Sequence, residues 1–204
     1  MGKIAVVTGA SAGIGANLLR CLLDNGLKVV ALARRGNVLK EIQNNLPSHL
    51  KDNFYPFECD INRKDEVKTA FKWIEDTLHE VHILVNNAGM SRYSPLASVS
   101  GFTEAEDIIN INTKAVIYCT AYTIEIMRRN QIPGHIVVIT GITGKKVPNI
   151  PGITFSSFEA SKHATTTVGL LCDMCDTYRK ELVGTGIKVT VRFSPILITF
   201  IKFY

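Results

Sequence analysis

The stretch "TGASAGIG", residues 8–15, decides the predicted fold. It joins an apolar run with strand character to an amphipathic run with helix character. Its glycines, Gly9, Gly13 and Gly15, suit a tight turn, because glycine permits positive φ values and close backbone approach. The next helix presents free N–H groups and the positive end of its dipole, so the stretch predicts a phosphate-binding loop. The alternative, a glycine turn without a ligand, is disfavoured by the strand before it and the helix after it.

Short apolar runs alternate with longer amphipathic runs along the whole chain. We predict strands over residues 4–8, 28–33, 54–60, 83–85, 135–140 and 188–193, and helices over residues 13–25, 38–46, 63–80, 103–129 and 157–183. This alternation indicates parallel βαβ units with helices on both faces of the sheet. Strands such as "IAVVT" and "HIVVIT" are apolar throughout, as in a sheet that is buried on both faces. We therefore predict that residues 1–204 form one α/β domain with a Rossmann-like, doubly wound parallel sheet of about six strands.

The composition fits a folded protein and excludes several classes of function. Hydrophobic residues make up 46% of the 204 residues, which is enough for a packed core. The formal net charge is +5, but no long basic run occurs and no aromatic residues interleave with the basic pairs, so we expect no nucleic-acid partner. No run approaches the length of a membrane-spanning helix and no signal-peptide pattern is seen, so we expect no transmembrane segment and a cytoplasmic location.

The cysteines argue against a disulfide framework. There are 5 of them, an odd number, and their spacing is irregular. Cys172 and Cys175 form a C-x-x-C pair, which in other contexts is a redox motif. Here the pair falls within a predicted helix and far from a strand–helix turn, so we interpret it as two small buried side chains.

The ends of the second, third and fourth predicted strands carry polar residues. A carboxylate at the end of the second strand would bind the 2′-hydroxyl of NAD, but Ala33 stands there, followed by Arg34 and Arg35. Guanidinium groups suit a phosphate, so the predicted cofactor is NADP(H), with ordinary surface charge as the alternative. Asp60 ends the third strand, where it would touch the adenine of the cofactor. The stretch "NNAG", residues 86–89, ends the fourth strand beside the predicted cofactor cleft.

Several motifs follow one another in a family's order and spacing. They are "TGASAGIG", "CDI", "NNAG", Asn112 within "NINTKAVIYCTA", "GHIVVIT" and the "ASKHA" that follows Phe158. Together they make residues 3–195 resemble the short-chain dehydrogenase/reductase family. The arginine pair in "GLKVVALARR" resembles the NADP-preferring branch that contains farnesol dehydrogenases and related retinoid or steroid dehydrogenases.

The resemblance implies hydride transfer between the nicotinamide C4 atom of NADP(H) and an alcohol or carbonyl carbon of a small lipophilic substrate. It also implies a homodimer or homo-oligomer built from the helices predicted over residues 103–129 and 157–183. The expected cofactor contacts come from Thr8, Gly9, Ser11, Gly13, Ile14, Gly15, Arg34, Arg35, Asp60, Ile61, Asn87, Ala88, Gly89, Lys162 and Pro195.

The resemblance further implies a catalytic asparagine, lysine, tyrosine and serine, of which this chain keeps the first two. Asn112 would hold a water that links Lys162 to solvent, and Lys162 would bind the nicotinamide ribose and lower the pKa of the tyrosine. The tyrosine position is Phe158 and the serine position is Gly141, and neither side chain donates a hydrogen bond. A positioned acid or base is worth about 10²- to 10⁴-fold, and one oxyanion donor about 10²- to 10³-fold, so we predict impaired catalysis.

Other hydroxyl groups lie near these two positions in the sequence. Thr140 is expected on the opposite strand face from Gly141, because side chains alternate along a strand. Thr143, Ser156 and Ser157 remain as donors. A serine hydroxyl, however, lacks the phenol pKa of about 10 that a nearby cation can lower.

The last residues, "ILITFIKFY", match no part of the family's pattern. The family continues past a Pro-Gly pair with a substrate-covering segment, a strand and a helix, whereas Ile196 follows Pro195 here. We therefore expect residues 196–204 to be an atypical apolar tail and the family's last strand and helix to be absent. The sixth strand would then lie at an edge of the sheet.

Three functions stay open on the sequence. The first is a degenerate family member that binds NADP(H) and turns over little substrate, with Phe158 serving only to pack its helix. The second is a working oxidoreductase in which Ser157 or water replaces the phenol. The third is a non-catalytic protein that dimerises through its two long helices.

Overall fold

In the computed structural model, which describes residues 2–92, 101–141, 156–166, 178 and 180–194, strands alternate with helices. The strands are β1 (Ile4–Thr8), β2 (Lys28–Ala33), β3 (Phe54–Glu58), β4 (Ile83–Asn86), β5 (His135–Gly141) and β6 (Lys188–Ser194). The helices are α1 (Gly13–Asp24), α2 (Gly36–Asn44), α3 (Ser48–Lys51), α4 (Lys64–Leu78), α5 (Phe102–Ile109), α6 (Ala115–Arg129) and α7 (Ser156–Thr166). A π-helical segment, Asn110–Lys114, joins α5 to α6.

The strands pair in the order β3-β2-β1-β4-β5-β6 and are parallel throughout. β1 is central, because Val6 pairs with Val30 of β2 on one side and with Leu84 of β4 on the other. The strand order reverses between β1 and β4, and ligands of such sheets bind in the crevice at the carboxyl ends of the strands. The prediction of a Rossmann-like, doubly wound α/β fold is confirmed.

Helices cover both faces of the sheet because each carries an apolar stripe. Leu19 and Leu23 lie one turn apart on α1 and pack into the same core as Val7 of β1. On the opposite face, Phe71 of α4 packs into the core that contains Val6. Neighbouring residues of β1 therefore belong to two different cores, which explains why its sequence is apolar throughout.

Two elements near β3 differ from the prediction. β3 ends at Glu58 rather than at residue 60. The reason is a turn at Asp60, whose Oδ1 accepts a hydrogen bond from the Asn62 N–H over 3.0 Å and so directs the chain toward α4. The short helix Ser48–Lys51 is not predicted, because four residues are too few to show a helical period.

The helix predicted over residues 103–129 is present but irregular. Helical structure continues from Phe102 to Arg129, and the segment Asn110–Lys114 within it is π-helical. There the N–H of Ala115 donates to the carbonyl oxygen of Asn110, five residues earlier. Such wide turns are frequent at functional sites, and this one lies beside the cleft.

The helix predicted over residues 157–183 is described in part. It begins as α7 at Ser156 and is described as far as Thr166. Tyr178, Lys180 and Glu181 are also helical.

Several predictions fall outside the described residues. They concern Thr143, the cysteines Cys172 and Cys175, the cofactor contact Pro195 and the tail over residues 196–204. Among the strands that the structure describes, β6 lies at one edge of the sheet. No helix in the described part of the chain is both long enough and apolar enough to cross a membrane.

Candidate functional site

The β1–α1 loop contains two glycines in the left-handed backbone region. Gly9 has φ +64° and Gly13 has φ +57°. A β-carbon on Gly9 would lie 2.7 Å from the α-carbon of Ala88, so this glycine permits the loop to pack against the end of β4. A β-carbon on Gly13 would meet no described atom within 4 Å, so the space beside this residue is open. Gly9 therefore permits close packing of the loop against β4, and Gly13 leaves the space beside the loop open.

The N-terminus of α1 lies at the end of this loop and fits an anion. The residue before the helix, Ala12, offers no side-chain cap, and the first turn has no acidic residue. Ile14 is half-buried, and Gly15 is buried so tightly that a β-carbon there would collide with the carbonyl oxygen of Gly9. Uncapped N–H groups next to the open space at Gly13 fit the diphosphate of a dinucleotide.

A set of hydrogen bonds ties the end of β1 to the end of β4. The Thr8 hydroxyl accepts from the N–H groups of Asn87 and Ala88 over 3.1 Å each, and donates to the Val85 carbonyl over 3.4 Å. The Asn87 side-chain amide donates to the carbonyl oxygens of Thr8 and Gly9 over 2.9 and 3.3 Å. These predicted site residues thus hold the loop in its conformation as well as lying beside the cleft.

The arginine pair lies directly after β2. Ala33 is buried, whereas Arg34 and Arg35 are exposed. The Arg35 guanidinium donates two hydrogen bonds to the Ser11 hydroxyl, from Nη2 over 3.0 Å and from Nε over 3.3 Å. Neither arginine forms an ion pair with a carboxylate of the described residues. Arg35 and Ser11 together form what we call the arginine corner of the cleft.

Asp60 and Ile61 lie farther along the same edge of the sheet, after β3. The Asp60 N–H donates to Oε2 of Glu66 over 2.8 Å, and the Asp60 carboxylate accepts from Asn62. Ile61 is buried in the core on the α4 face. The structure thus gives both residues a local structural role, and the contact of Asp60 with adenine stays a prediction.

Asn112 lies in the π-helical segment and joins the segment that follows β4 to α7. Its Oδ1 accepts from the Met90 N–H over 2.8 Å, and its Nδ2 donates to the Met90 carbonyl over 2.9 Å and to the Ser161 hydroxyl over 2.8 Å. Ser161 in turn donates to the carbonyl oxygen of Phe158 over 2.7 Å. Met90 and Ser161 are not among the residues predicted from the sequence. The signal for Ser161 is its place directly before Lys162 in "ASKHA".

Lys162 extends from α7 into the same region. The residue is only 9% exposed, and burial lowers the pKa of its amine to about 8. A β-carbon built on Gly89 would lie 3.4 Å from the Lys162 Nζ and 3.5 Å from the Asn112 Oδ1, so the missing side chain of Gly89 leaves room between them. The Nζ also lies 5.6 Å from the centroid of the Phe158 ring.

The positions of the expected tyrosine and serine carry no donor. Phe158 is 8% exposed, and Gly141 ends β5 in register with Ser194. Burial alternates along β5, so Thr140 lies on the opposite face from Gly141, as predicted. Thr140 and Ser157 are each 2% exposed, and their hydroxyls have no hydrogen-bond partner among the described residues.

Comparison with known proteins places these residues in a family. The model of the family described as short chain dehydrogenase matches residues 3–201. A farnesol dehydrogenase of Aedes aegypti is 35% identical over 191 residues, which cover 93% of this chain and 75% of that protein. Dehydrogenase/reductase SDR family member 11 of Gallus gallus is 36% identical over 171 residues, which cover 82% of this chain and 65% of that protein.

Solved structures agree with these sequence matches. The crystal structure of a metagenomic short-chain oxidoreductase in complex with NADP superposes with a TM-score of 0.79 at 25% identity, over 96% of this chain and 83% of that one. The chain spans less than two thirds of the length of the Gallus gallus relative, yet the family match extends over nearly all of its own residues. The chain therefore belongs to the short-chain dehydrogenase/reductase family.

Proposed function

We propose that this chain binds NADP(H) at the carboxyl ends of β1, β2 and β4 and performs little or no hydride transfer. The observation that carries this proposal is the burial of the Phe158 ring beside the Lys162 amine, 5.6 Å from ring centroid to Nζ. A nicotinamide dinucleotide, when bound, donates or accepts a hydride. The protein must add or remove a proton at the substrate oxygen, and neither Phe158 nor Gly141 has a group that does so.

The nucleotide would be held by groups that the fold already presents. The uncapped N–H groups of α1 would bind the diphosphate beside Gly13, since they lie at an open helix N-terminus. Arg34, Arg35 and Ser11 would bind the 2′-phosphate, because guanidinium groups pair with phosphate by charge-assisted hydrogen bonds. Asp60 would accept a hydrogen bond from the adenine at the end of β3. The similar metagenomic oxidoreductase was solved in complex with NADP, which supports this assignment.

Lys162 and Asn112 would position the nicotinamide end. The Lys162 amine would donate to the ribose hydroxyls, and at pH 7 it is mostly protonated, because its pKa is about 8. Its charge would normally stabilise a tyrosine phenolate, but the ring at 158 has no oxygen for the charge to act on. Asn112 ties Met90, in the segment that follows β4, to Ser161 of α7.

The substrate that we propose is a small lipophilic alcohol or carbonyl compound, as the name of the farnesol dehydrogenase relative suggests. A second candidate function is an active oxidoreductase that uses Ser157 in place of the phenol. It is favoured by one observation, the buried Ser157 hydroxyl without a hydrogen-bond partner among the described residues. This candidate predicts that Ser157→Ala abolishes whatever turnover the chain has, whereas the first predicts no turnover to abolish.

We also propose that the chain forms a single domain. Two such domains would form a homodimer through α6 and the helix that contains Tyr178. An open groove lies between them, and Arg128 Nη2 donates to the Glu181 carbonyl across it over 2.8 Å. Sedimentation velocity distinguishes a dimer from a monomer. A monomer at micromolar concentration would contradict this assembly without affecting the proposed nucleotide binding.

Titration with NADPH, with NADH as the control, tests the proposed binding. We expect tighter binding of NADPH and at least a tenfold loss in Arg35→Ala, because a hydrogen bond to a charged group contributes about 1.5–3 kcal/mol. Arg20→Ala removes an exposed arginine that pairs with Asp24 on α1, and it should change neither affinity. A folded sample that binds neither nucleotide would contradict the proposal, and rapid NADPH oxidation with farnesal would contradict its catalytic part.

A further inference from the structure

Glu58, the last residue of β3, occupies an unusual place beside α2. It pairs in register with Ala33, the last residue of β2. A β-carbon built on Gly36 would collide with the Glu58 Oε2, and it lies 3.0 Å from the carboxyl carbon and 3.1 Å from the Glu58 β-carbon. The Glu58 side chain therefore lies in the space that any side chain at position 36 would need.

This carboxylate lies close to the arginine pair without being paired to it. Gly36 directly follows Arg35 in the chain. No ion pair joins Glu58 to Arg34 or Arg35 among the described residues, and Arg35 donates to Ser11 instead.

The N-terminus of α2 has no acidic group of its own. Its first turn contains no acidic residue and its N-cap makes no side-chain hydrogen bond. Glu58 thus brings a negative charge, from another strand, to a region that is otherwise positive through two guanidinium groups and a helix dipole.

We propose that Glu58 is a specificity-determining residue that reduces the preference of this site for NADP(H) over NAD(H). The inference rests on the proposed binding of NADP(H). A 2′-phosphate at the arginine corner carries close to two negative charges, so the neighbouring carboxylate repels it. NAD(H) presents a hydroxyl at that position and is not repelled. Glu58 therefore opposes the arginines in the choice between the two nucleotides.

Gly36 permits this arrangement and provides an independent way to disturb it. Alanine at position 36 would place a methyl group against the Glu58 carboxylate. The carboxylate is the flexible end of an exposed side chain and would move away, whereas the Glu58 β-carbon at 3.1 Å needs a shift of only a few tenths of an ångström. Gly36→Ala should therefore imitate part of the effect of removing the Glu58 charge.

The test is to titrate NADPH and NADH into Glu58→Gln at low salt. We expect NADPH to bind about threefold to tenfold more tightly, since unit charges a few ångströms apart in water interact by about 1 kcal/mol. NADH affinity should stay unchanged, and the gain for NADPH should shrink as the salt concentration rises. Glu41→Gln removes the same charge from an exposed position farther along α2, and it should leave the ratio of the two affinities unaltered.

Gly36→Ala provides the second measurement. Alone it should tighten NADPH binding, and in the Glu58→Gln background it should add nothing, because the displaced charge is already absent. Equal additive gains in both backgrounds would overturn the inference.

The remaining outcomes separate this inference from the proposed function. If the unaltered chain prefers NADPH and Glu58→Gln behaves like Glu41→Gln, the inference is overturned and the proposed function stands. If Glu58→Gln tightens NADPH and NADH equally, the inference is also overturned, because the effect does not depend on the 2′-phosphate. If a folded sample binds neither nucleotide, the proposed function fails and the inference fails with it.

Discussion

Individual buried hydroxyl groups in the two halves of the cleft differ in their hydrogen bonding, although Ser161 in the second half is bonded to both Asn112 and Phe158. In the half formed by β1 and β4, the Thr8 hydroxyl makes hydrogen bonds with Val85, Asn87 and Ala88. In the half formed by β5 and α7, the hydroxyls of Thr140 and Ser157 have no partner among the described residues. In that same half, burial lowers the pKa of the Lys162 amine, because the charged form loses its hydration in the fold.

This difference distinguishes a hydroxyl group that stabilises the fold, that of Thr8, from an amine whose charge is disfavoured by burial, that of Lys162. The Thr8 hydroxyl ties the loop to the end of β4, so we expect the proposed nucleotide site to keep its shape as long as the protein folds. Burial lowers the pKa of the Lys162 amine, so the fold disfavours its charged form, and functional sites commonly carry groups with shifted pKa values. We therefore expect that side chains of the second half, such as those at 158 and 141, can be exchanged without unfolding the protein.

The largest effect is expected from restoring the missing donors in the second half. Phe158→Tyr combined with Gly141→Ser should raise NADPH-dependent reduction of farnesal by at least about 10²-fold, because both an acid–base and an oxyanion donor return. The gain should disappear when Lys162→Ala is added, since the phenol then lacks its neighbouring cation. Unchanged turnover in a double variant that binds NADPH would show that more than two groups are missing.

The next largest effect concerns the first half and compares two glycines. Gly9→Ala should destabilise the protein by about 3 kcal/mol, from left-handed strain plus a collision with Ala88. Gly13→Ala has the same strain but open space, so about 1 kcal/mol is expected. Urea unfolding measures both values. Equal losses in the two variants would show that packing of the loop against β4 contributes nothing.

A similar effect of opposite sign is expected in the second half. Lys162→Met should stabilise the protein by about 3 kcal/mol at pH 7, the value that corresponds to a pKa of about 8 against an ordinary 10.5. Between about pH 8 and pH 10.5, the folded and unfolded pKa values of Lys162, the unfolded chain binds more protons than the folded chain. The stability of the unaltered protein therefore rises with pH in that window, and the advantage of the variant fades.

Unfolding of both proteins at pH 7 and pH 10 tests this pH dependence. Lys68→Met, at an exposed position on α4, serves as the matched control and should give no comparable gain. A gain for Lys162→Met that is the same at both pH values would assign it to hydrophobic packing instead of charge burial.

A loss smaller than that of Gly9→Ala is expected from the hydrogen bonds between β1 and β4. Thr8→Val keeps the shape of the side chain but leaves two backbone N–H groups without their acceptor, so a loss of about 2 kcal/mol is expected in urea unfolding. Thr69→Val removes an exposed hydroxyl that donates to the Asp65 carbonyl, and it should change stability by less than about 0.5 kcal/mol. Similar losses of stability in Thr8→Val and Thr69→Val would show that the hydrogen bonds of Thr8 make no special contribution to the fold.

The part of the fold that periodicity encodes is predictable from the sequence. The bounds of β1 and β2 agree with the prediction to the residue, because each is a continuous apolar run that ends at polar or glycine residues. The π-helical segment around Asn112 is not predictable in this way, since the hydrophobic pattern runs through it unchanged. Its wide turn accompanies hydrogen bonds to Met90 and Ser161, which lie far away in the sequence.

The candidate site likewise contains residues that the sequence predicts and residues that it does not predict. Gly9, Gly13 and Arg35 are found from local motifs, because their chemistry is carried by their own neighbours in the sequence. Glu58 is not found, since "FYPFECDI" gives no sign that its carboxylate lies against Gly36. That contact arises from the register between β2 and β3, which only the folded sheet defines.

The hydrogen bond from Ser161 to residue 158 ends on a backbone carbonyl. Every amino acid offers that oxygen, so this hydrogen bond does not depend on which side chain stands at position 158. A phenylalanine codon becomes a tyrosine codon through a single base substitution, and a glycine codon that ends in a pyrimidine becomes a serine codon in the same way. A phenol beside Lys162 is therefore one base substitution away, and the acceptor of the Ser161 hydrogen bond stays available along that path.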